Sequence, residues 1–140
     1  MLGRLVLANA LRFEQASSDD YAAMAARTSD PELRRLLDSL AAEESQHLAA
    51  VRKALDHHGP ELQSLSEPQP VGTMAADPEL VDRQRSAVLT KAAAHEQSTA
   101  RFYEELASAV HIRPLRGVLL SLAEQERQHA VRLNRFLQNV

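Results

Sequence analysis

The stretch Leu40 to His47, LAAEESQH, returns at Leu122 to His129 as LAEQERQH. The duplication is not local. Four pairs of residues stand 82 positions apart: Glu14 and Glu96, Tyr21 and Tyr103, Glu44 and Glu126, His47 and His129. The tyrosine pair contains every tyrosine in the chain. Each copy of the opening stretch holds a Glu-x-x-His, and residues three apart share one face of a helix. In each half a lone Glu precedes its Tyr by seven residues, two helical turns on nearly the same face. The same Glu precedes the Glu of Glu-x-x-His by thirty, a spacing that a hairpin turn can fold to one height. The chain therefore reads as two copies of one helical hairpin.

Abundant Ala, Leu, Glu, Arg and Gln with only four Gly and no strand alternation predict an all-α protein. The first helix is expected over about 2–27, ended by Ser29-Asp30-Pro31, with Asp30 as N-cap of the next helix and Pro31 at its first position. The second is expected over 31–58, its seam of Leu33, Leu37, Leu40, Glu44, His47, Val51 and Ala54 being apolar except at its middle. Gly59-Pro60 stops it. Residues 59–76, with Pro60, Pro68, Pro70 and Gly72, read as a crossover strap running the length of the bundle. Asp77-Pro78 repeats the cap signal for a third helix over about 78–110, and a fourth follows over 114–137. The expected architecture is an antiparallel four-helix bundle in one domain, 1–140: hairpin 1 over about 2–58, linker 59–76, hairpin 2 over about 77–138.

The 140 residues carry a net charge of −3 and no basic block, so neither nucleic acid nor an anionic membrane is an expected partner. Cysteine is absent, which removes disulfides, iron–sulfur clusters and thiolate zinc together. The apolar run Leu5 to Leu7 is too short for a signal peptide or a membrane span, and a cytoplasmic location is expected.

Four inward-facing carboxylates and two imidazoles create an electrostatic problem, because an unpaired buried carboxylate costs several kcal/mol. No lysine lies on the seams near this level, and the nearest seam arginine is Arg85. Two divalent cations would cancel the four charges. Oxygens with two nitrogens suit iron or manganese bridged by carboxylates; zinc usually takes fewer oxygens. Tyr21 and Tyr103 are each placed to hydrogen-bond a ligand carboxylate of the opposite half and hold its orientation.

A Glu from each of two helices and a Glu-x-x-His from each of the other two is the ligand pattern of di-iron and di-manganese carboxylate bundles. The sequence resembles the ferritin-like superfamily, and RFEQASSDDYAAMA, DPELRRLLDSLAAEESQH and HEQSTARFYEEL look most like its rubrerythrin branch. The six ligand positions of that pattern are filled by Glu14, Glu44, His47, Glu96, Glu126 and His129. The resemblance implies two iron ions, with manganese as the other candidate. Full rubrerythrins add a rubredoxin-like domain with four cysteines; this sequence has none, so the electrons are expected from an external donor. Thr99 stands where rubrerythrin sites usually carry a further Glu, and the remaining six ligands with both tyrosines match the simpler bacterioferritin pattern. Ser45 replaces the haem-ligating Met expected of a bacterioferritin, so no haem is expected. Eleven residues follow His129, fewer than the short fifth helix of a ferritin cage needs.

The resemblance implies an oxidoreductase of ferroxidase or peroxidase type acting in oxidative stress. It would oxidise Fe(II) or reduce peroxide or dioxygen at a carboxylate-bridged site, its two metals on the order of 3.5–4 Å apart. Glu44 and Glu126 are the bridging candidates, Glu14 and Glu96 the terminal ones, with one His on each metal. An iron-storage or delivery protein and a di-iron oxygenase acting on an organic substrate are the alternatives. Glu43, Gln46 and His95 read as surface positions, and His57, His58 and His111 as helix-end residues without catalytic roles. Leu5, Val6, Phe13 and Met24 read either as a wide core face or as a homodimer contact, the dimer being the expected assembly.

Overall fold

The computed structural model describes residues 2–62 and 68–139, with the side chains of 7–60 and 68–139. Four α-helices form it: α1 (Leu2–Arg27), α2 (Pro31–Leu62), α3 (Arg85–Ala109) and α4 (Arg113–Gln138), with a 3-10 turn at Pro78–Leu80 before α3. No strand occurs among the described residues, and no described helix is long and apolar enough to cross a membrane.

Local chemistry sets the helix ends. The Asp30 carboxylate accepts from the backbone N–H groups of Glu32 at 2.9 Å and Leu33 at 3.3 Å, satisfying two donors that α2 itself cannot. The stop expected after His58 takes the form of a kink: His58 leaves helical geometry at φ −125, ψ 18, and the chain then makes one more helical turn to Leu62. Pro60 falls at the start of that turn, where its missing N–H breaks no bond.

The beginning of α3 differs from expectation. Asp77 does act as a cap, accepting from the Glu79 N–H at 3.0 Å, but it caps only the 3-10 turn, and α3 proper starts at Arg85. The intervening segment serves the other end of hairpin 1. Asp82 accepts from the Thr28 hydroxyl at 2.7 Å and from the Ser29 N–H and hydroxyl at 2.9 Å each. Arg85 meets Asp30 at 3.0 Å and lies over the Phe136 ring. Val81 turns into the core.

Cross-hairpin contacts fix the directions. Along α1 from Glu14 to Tyr21 the α3 partner falls from Tyr103 to Glu96, and along α2 from Ser39 to His47 the α4 partner falls from Arg132 to Gln125. Both pairs are antiparallel, so α2 and α3 run parallel and the crossover must travel the length of the bundle. Its described part lies over α1 and α3. Asn9 donates to the Val71 carbonyl at 2.9 Å and accepts from its N–H at 3.0 Å, the Nε2 of His95 lies 2.9 Å from the Gly72 carbonyl, and Met74 is buried beneath.

Two apolar clusters fill the bundle. One gathers around Phe13, Phe102, Leu106 and Leu119, with Phe13 edge-on to Phe102 at 5.3 Å and to Tyr103 at 5.6 Å. The other gathers around Met24, Leu37, Leu40, Leu89 and Leu133. Each fully buried Leu, Met or Phe contributes roughly 1.5–3 kcal/mol, which offsets the cost of the polar belt between the clusters. Phe13 and Met24 are therefore core residues; the side chains of Leu5 and Val6 lie outside those described.

Candidate metal centre

Between the two clusters the four helices turn Glu14, Glu44, His47, Glu96, Glu126 and His129 inward, and all six are at most 2% exposed. No lysine or arginine is buried with them among the described residues. Ligand atoms of Glu14, Glu44, His47 and Glu126 lie within 4.8 Å of one another, as do those of Glu44, Glu96, Glu126 and His129. The two groups share Glu44 and Glu126.

The geometry follows the sequence repeat. His47 Nδ1 is 2.5 Å from Glu126 Oε1 and 3.5 Å from Glu14 Oε2; His129 Nδ1 is 2.6 Å from Glu44 Oε1 and 3.6 Å from Glu96 Oε2. The imidazoles stack at 5.3 Å and 9°. Tyr21 donates to Glu96 Oε1 at 2.6 Å, and Tyr103 donates to Glu14 Oε1 at 2.7 Å. Each tyrosine thus orients a carboxylate belonging to the other hairpin.

Each of the six residues also has at least one buried atom that makes no aligned hydrogen bond, and six of these converge: Glu14 Oε2, Glu44 Oε1, His47 Nδ1, Glu96 Oε2, Glu126 Oε1 and His129 Nδ1. The His–Glu approaches above are close, but they lack the alignment of a hydrogen bond. Nearly all buried polar atoms in folded proteins are paired, so six converging exceptions have the character of ligands. The titration behaviour agrees. Burial, then the charges of Glu96, Glu126 and Glu14, holds the Glu44 carboxyl well above the usual range. Burial and the nearby Glu126 push Glu96 up to about 8. Burial disfavours the charged form of His47, yet Glu126 and Glu14 outweigh it and raise the imidazole to about 10. Burial, together with the ligand carboxylates, likewise raises both tyrosines well above their ordinary value. A divalent cation in each group would satisfy the unpaired atoms and neutralise the repulsion, and all-carboxylate and imidazole donors suit iron or manganese.

Around these six residues the structure adds others that the helical seams do not reveal. Gln125 Oε1 lies 2.8 Å from His47 Nε2, while Glu43, expected at the surface, is half-buried with Oε1 3.8 Å from His129 Nε2. Ser121 accepts a bond from Gln125 at 3.0 Å, and Ser39 donates one to Glu43 at 3.1 Å. Glu43 and Gln125, like Ser39 and Ser121, stand 82 positions apart, so the repeat itself carried this signal. Thr99 donates to Glu126 Oε2 at 2.7 Å. His95, also expected at the surface, is 8% exposed because the crossover covers it. Gln46 is exposed as expected. His57 meets the Lys53 carbonyl at 2.9 Å near the end of α2.

Residues 87–140 match the Rubrerythrin family model. The rubrerythrin match contains Glu96, Thr99, Tyr103, Glu126 and His129, the half of the cluster contributed by α3 and α4. Across 99% of this chain and 89% of its own length, a hypothetical protein from Pyrococcus furiosus shares the fold, with a TM-score of 0.74 and 24% identity. No curated protein matches.

Proposed function

We propose that the chain is a rubrerythrin-like protein, one domain holding two iron ions, that oxidises Fe(II) or reduces peroxide or dioxygen. The observation that carries this reading is the convergence of six buried atoms that make no aligned hydrogen bond, on residues that fall into two groups sharing Glu44 and Glu126. Glu14 and His47 would complete one metal position, and Glu96 and His129 the other. Bound there, two Fe(II) ions supply one electron each, enough with two protons to turn one hydrogen peroxide into two waters.

The protein's own residues do the rest. The apolar clusters on either side exclude bulk water, which strengthens every charge interaction within. Tyr21 and Tyr103 hold the terminal carboxylates, and Gln125 holds His47, so little reorganisation accompanies the change of metal charge. The proposed source of electrons is an external donor, and the proposed location is the cytoplasm. A homodimer remains the proposed assembly.

The test is anaerobic loading with Fe(II), anomalous diffraction, and stopped-flow oxidation with peroxide and dioxygen in parallel. Two ions flanked by Glu44 and Glu126, with oxidation faster than in free solution, are expected. Protein prepared with iron that held none between these residues would overturn the proposal. An iron-storage protein would use the same ligands, and gel filtration distinguishes it: a mineral-filled particle of many subunits would replace the small assembly.

A further inference from the structure

The repeat is imperfect at the positions that hold the ligands in place, and the imperfections favour one side of the centre. His47 Nε2 meets Gln125 Oε1 at 2.8 Å, and Gln125 is steadied by Ser121 at 3.0 Å. A carbonyl oxygen only accepts, so it keeps a proton on Nε2 and reserves Nδ1 for the interior. Glu43 is the counterpart of Gln125, but it does not reach. Its Oε1 stops 3.8 Å from His129 Nε2, which is buried without a hydrogen-bond partner. Its Oε2 is held by Arg132 at 2.6 Å and by Ser39 at 3.1 Å. The charge-assisted bond from Arg132 fixes the carboxylate by Oε2 at 2.6 Å, and in that position Oε1 stands 3.8 Å from the imidazole, beyond hydrogen-bond reach. The counterpart of Arg132 is Ala50, so nothing equivalent draws Gln125 away from His47.

The bridging carboxylates differ in the same sense. Thr99 fixes Glu126 through Oε2 at 2.7 Å, leaving Oε1 directed at the His47 side, 2.5 Å from Nδ1. The counterpart of Thr99 is Ser17, and it forms no corresponding bond to Glu44 among the described residues. Both terminal carboxylates carry a tyrosine bond of nearly equal length, 2.6 Å and 2.7 Å, and so do not cancel the difference.

We infer that the two metal positions are unequal: the position of Glu14 and His47 is preorganised and fills first, while that of Glu96 and His129 is the looser, exchangeable one. The inference rests on the dinuclear reading above and goes beyond it. Ligands already held in their bound orientation lose less freedom when a metal arrives, and outer partners of a ligating histidine typically change affinity about 10- to 100-fold. A separation of that order is expected between the two binding steps. Gln125 and Thr99 are the positioning residues responsible.

Anaerobic titration with Co(II), followed by its visible spectrum and by calorimetry, tests this. The unaltered protein should bind two ions in distinct steps. His129→Ala should keep the tighter step and lose the weaker, and His47→Ala should do the reverse. Gln125→Leu should weaken the tight step about 10- to 100-fold, and Gln125→Glu, which retains an acceptor, should restore it; a merely structural role for Gln125 would shift both steps together. Crystals of the unaltered protein with one equivalent of Co(II) should show anomalous density beside Glu14 and His47, a readout independent of any variant's folding. Two indistinguishable steps, or density shared equally or concentrated at His129, would overturn the inequality and leave the dinuclear reading standing. Absence of any Co(II) or Fe(II) uptake would overturn that reading and this one with it.

Discussion

Tyr21 of the first hairpin donates its hydroxyl to Glu96 of the second at 2.6 Å, and Tyr103 returns the bond to Glu14 at 2.7 Å. Replacing Tyr21 with Phe leaves the ring's packing in place and removes only the donor to a buried carboxylate. Unmet hydrogen bonding of that kind costs about 1–3 kcal/mol, and loosened ligands lose about 10- to 100-fold in metal affinity. Tyr21→Phe should therefore weaken metal binding with helical content unchanged, as read by metal titration and circular dichroism. Unaltered affinity would reduce the tyrosines to packing residues.

Glu126 belongs to both candidate ligand groups, and its removal is expected to cost stability with metal and without it. Glu126→Ala should abolish rapid Fe(II) oxidation and the metal-induced rise in Tm. In the metal-free protein the same change removes the carboxylate 2.5 Å from His47 Nδ1 and is expected to destabilise by about 3–5 kcal/mol, the cost of breaking a buried pair by removing one partner. Melting curves with and without metal check both halves of this statement.

The pH dependence of the metal-free protein has a definite sign. Glu96 is raised from 4.5 to about 8, so the folded state retains a proton that the unfolded chain gives up; this contribution is complete below pH 4.5 and lost as pH rises through 8. His47 is raised from 6.5 to about 10, and its contribution is complete below pH 6.5 and lost as pH rises through 10. Both groups act in the same direction, so Tm of the metal-free protein should fall from about pH 5 to about pH 9. Metal must displace these protons, so the metal-induced gain in Tm should widen over the same range. Thermal melts at a series of pH values with and without Mn(II) measure it.

Among the described residues Asn9 and His95 both hold the crossover, and Asn9 makes the more complete contact, exchanging two hydrogen bonds with Val71. Asn9→Ala strands the Val71 amide, with an expected cost of about 1–3 kcal/mol. Faster hydrogen exchange at Val71 should accompany it, while the amides of α2 and α4 keep their protection. Uniform loss of protection would mean that the strap is integral to global stability.

Most of the cluster was legible because its six residues lie on the helical seams, where a four-three periodicity and a doubled motif are both visible in one dimension. The residues around them were harder to see. Glu43 and Gln125 stand one step off the seam, a position that ordinarily faces solvent, but each extends toward a histidine on the neighbouring helix. Seam arithmetic ignores side-chain reach; the spacing of 82 between them did not. His95 was misplaced for another reason. It lies on the outer face of α3, which the crossover then covers, and periodicity within a helix cannot register a strap laid over it. The start of α3 moved to Arg85 because Asp82 and Val81 are occupied at the hairpin turn and the core, contacts that arise only once both hairpins are docked.

Because every ligand group draws on both hairpins, neither hairpin alone gathers the charges that oppose its own folding. The electrostatic cost arises when the halves close on each other. Closure is thus the step that a bound cation would secure, in the manner of a cross-link between segments remote in the chain. Such a clasp acts on the rate of opening: the protein without metal should come apart along the seam between its two hairpins, faster than it loses the helices of either one.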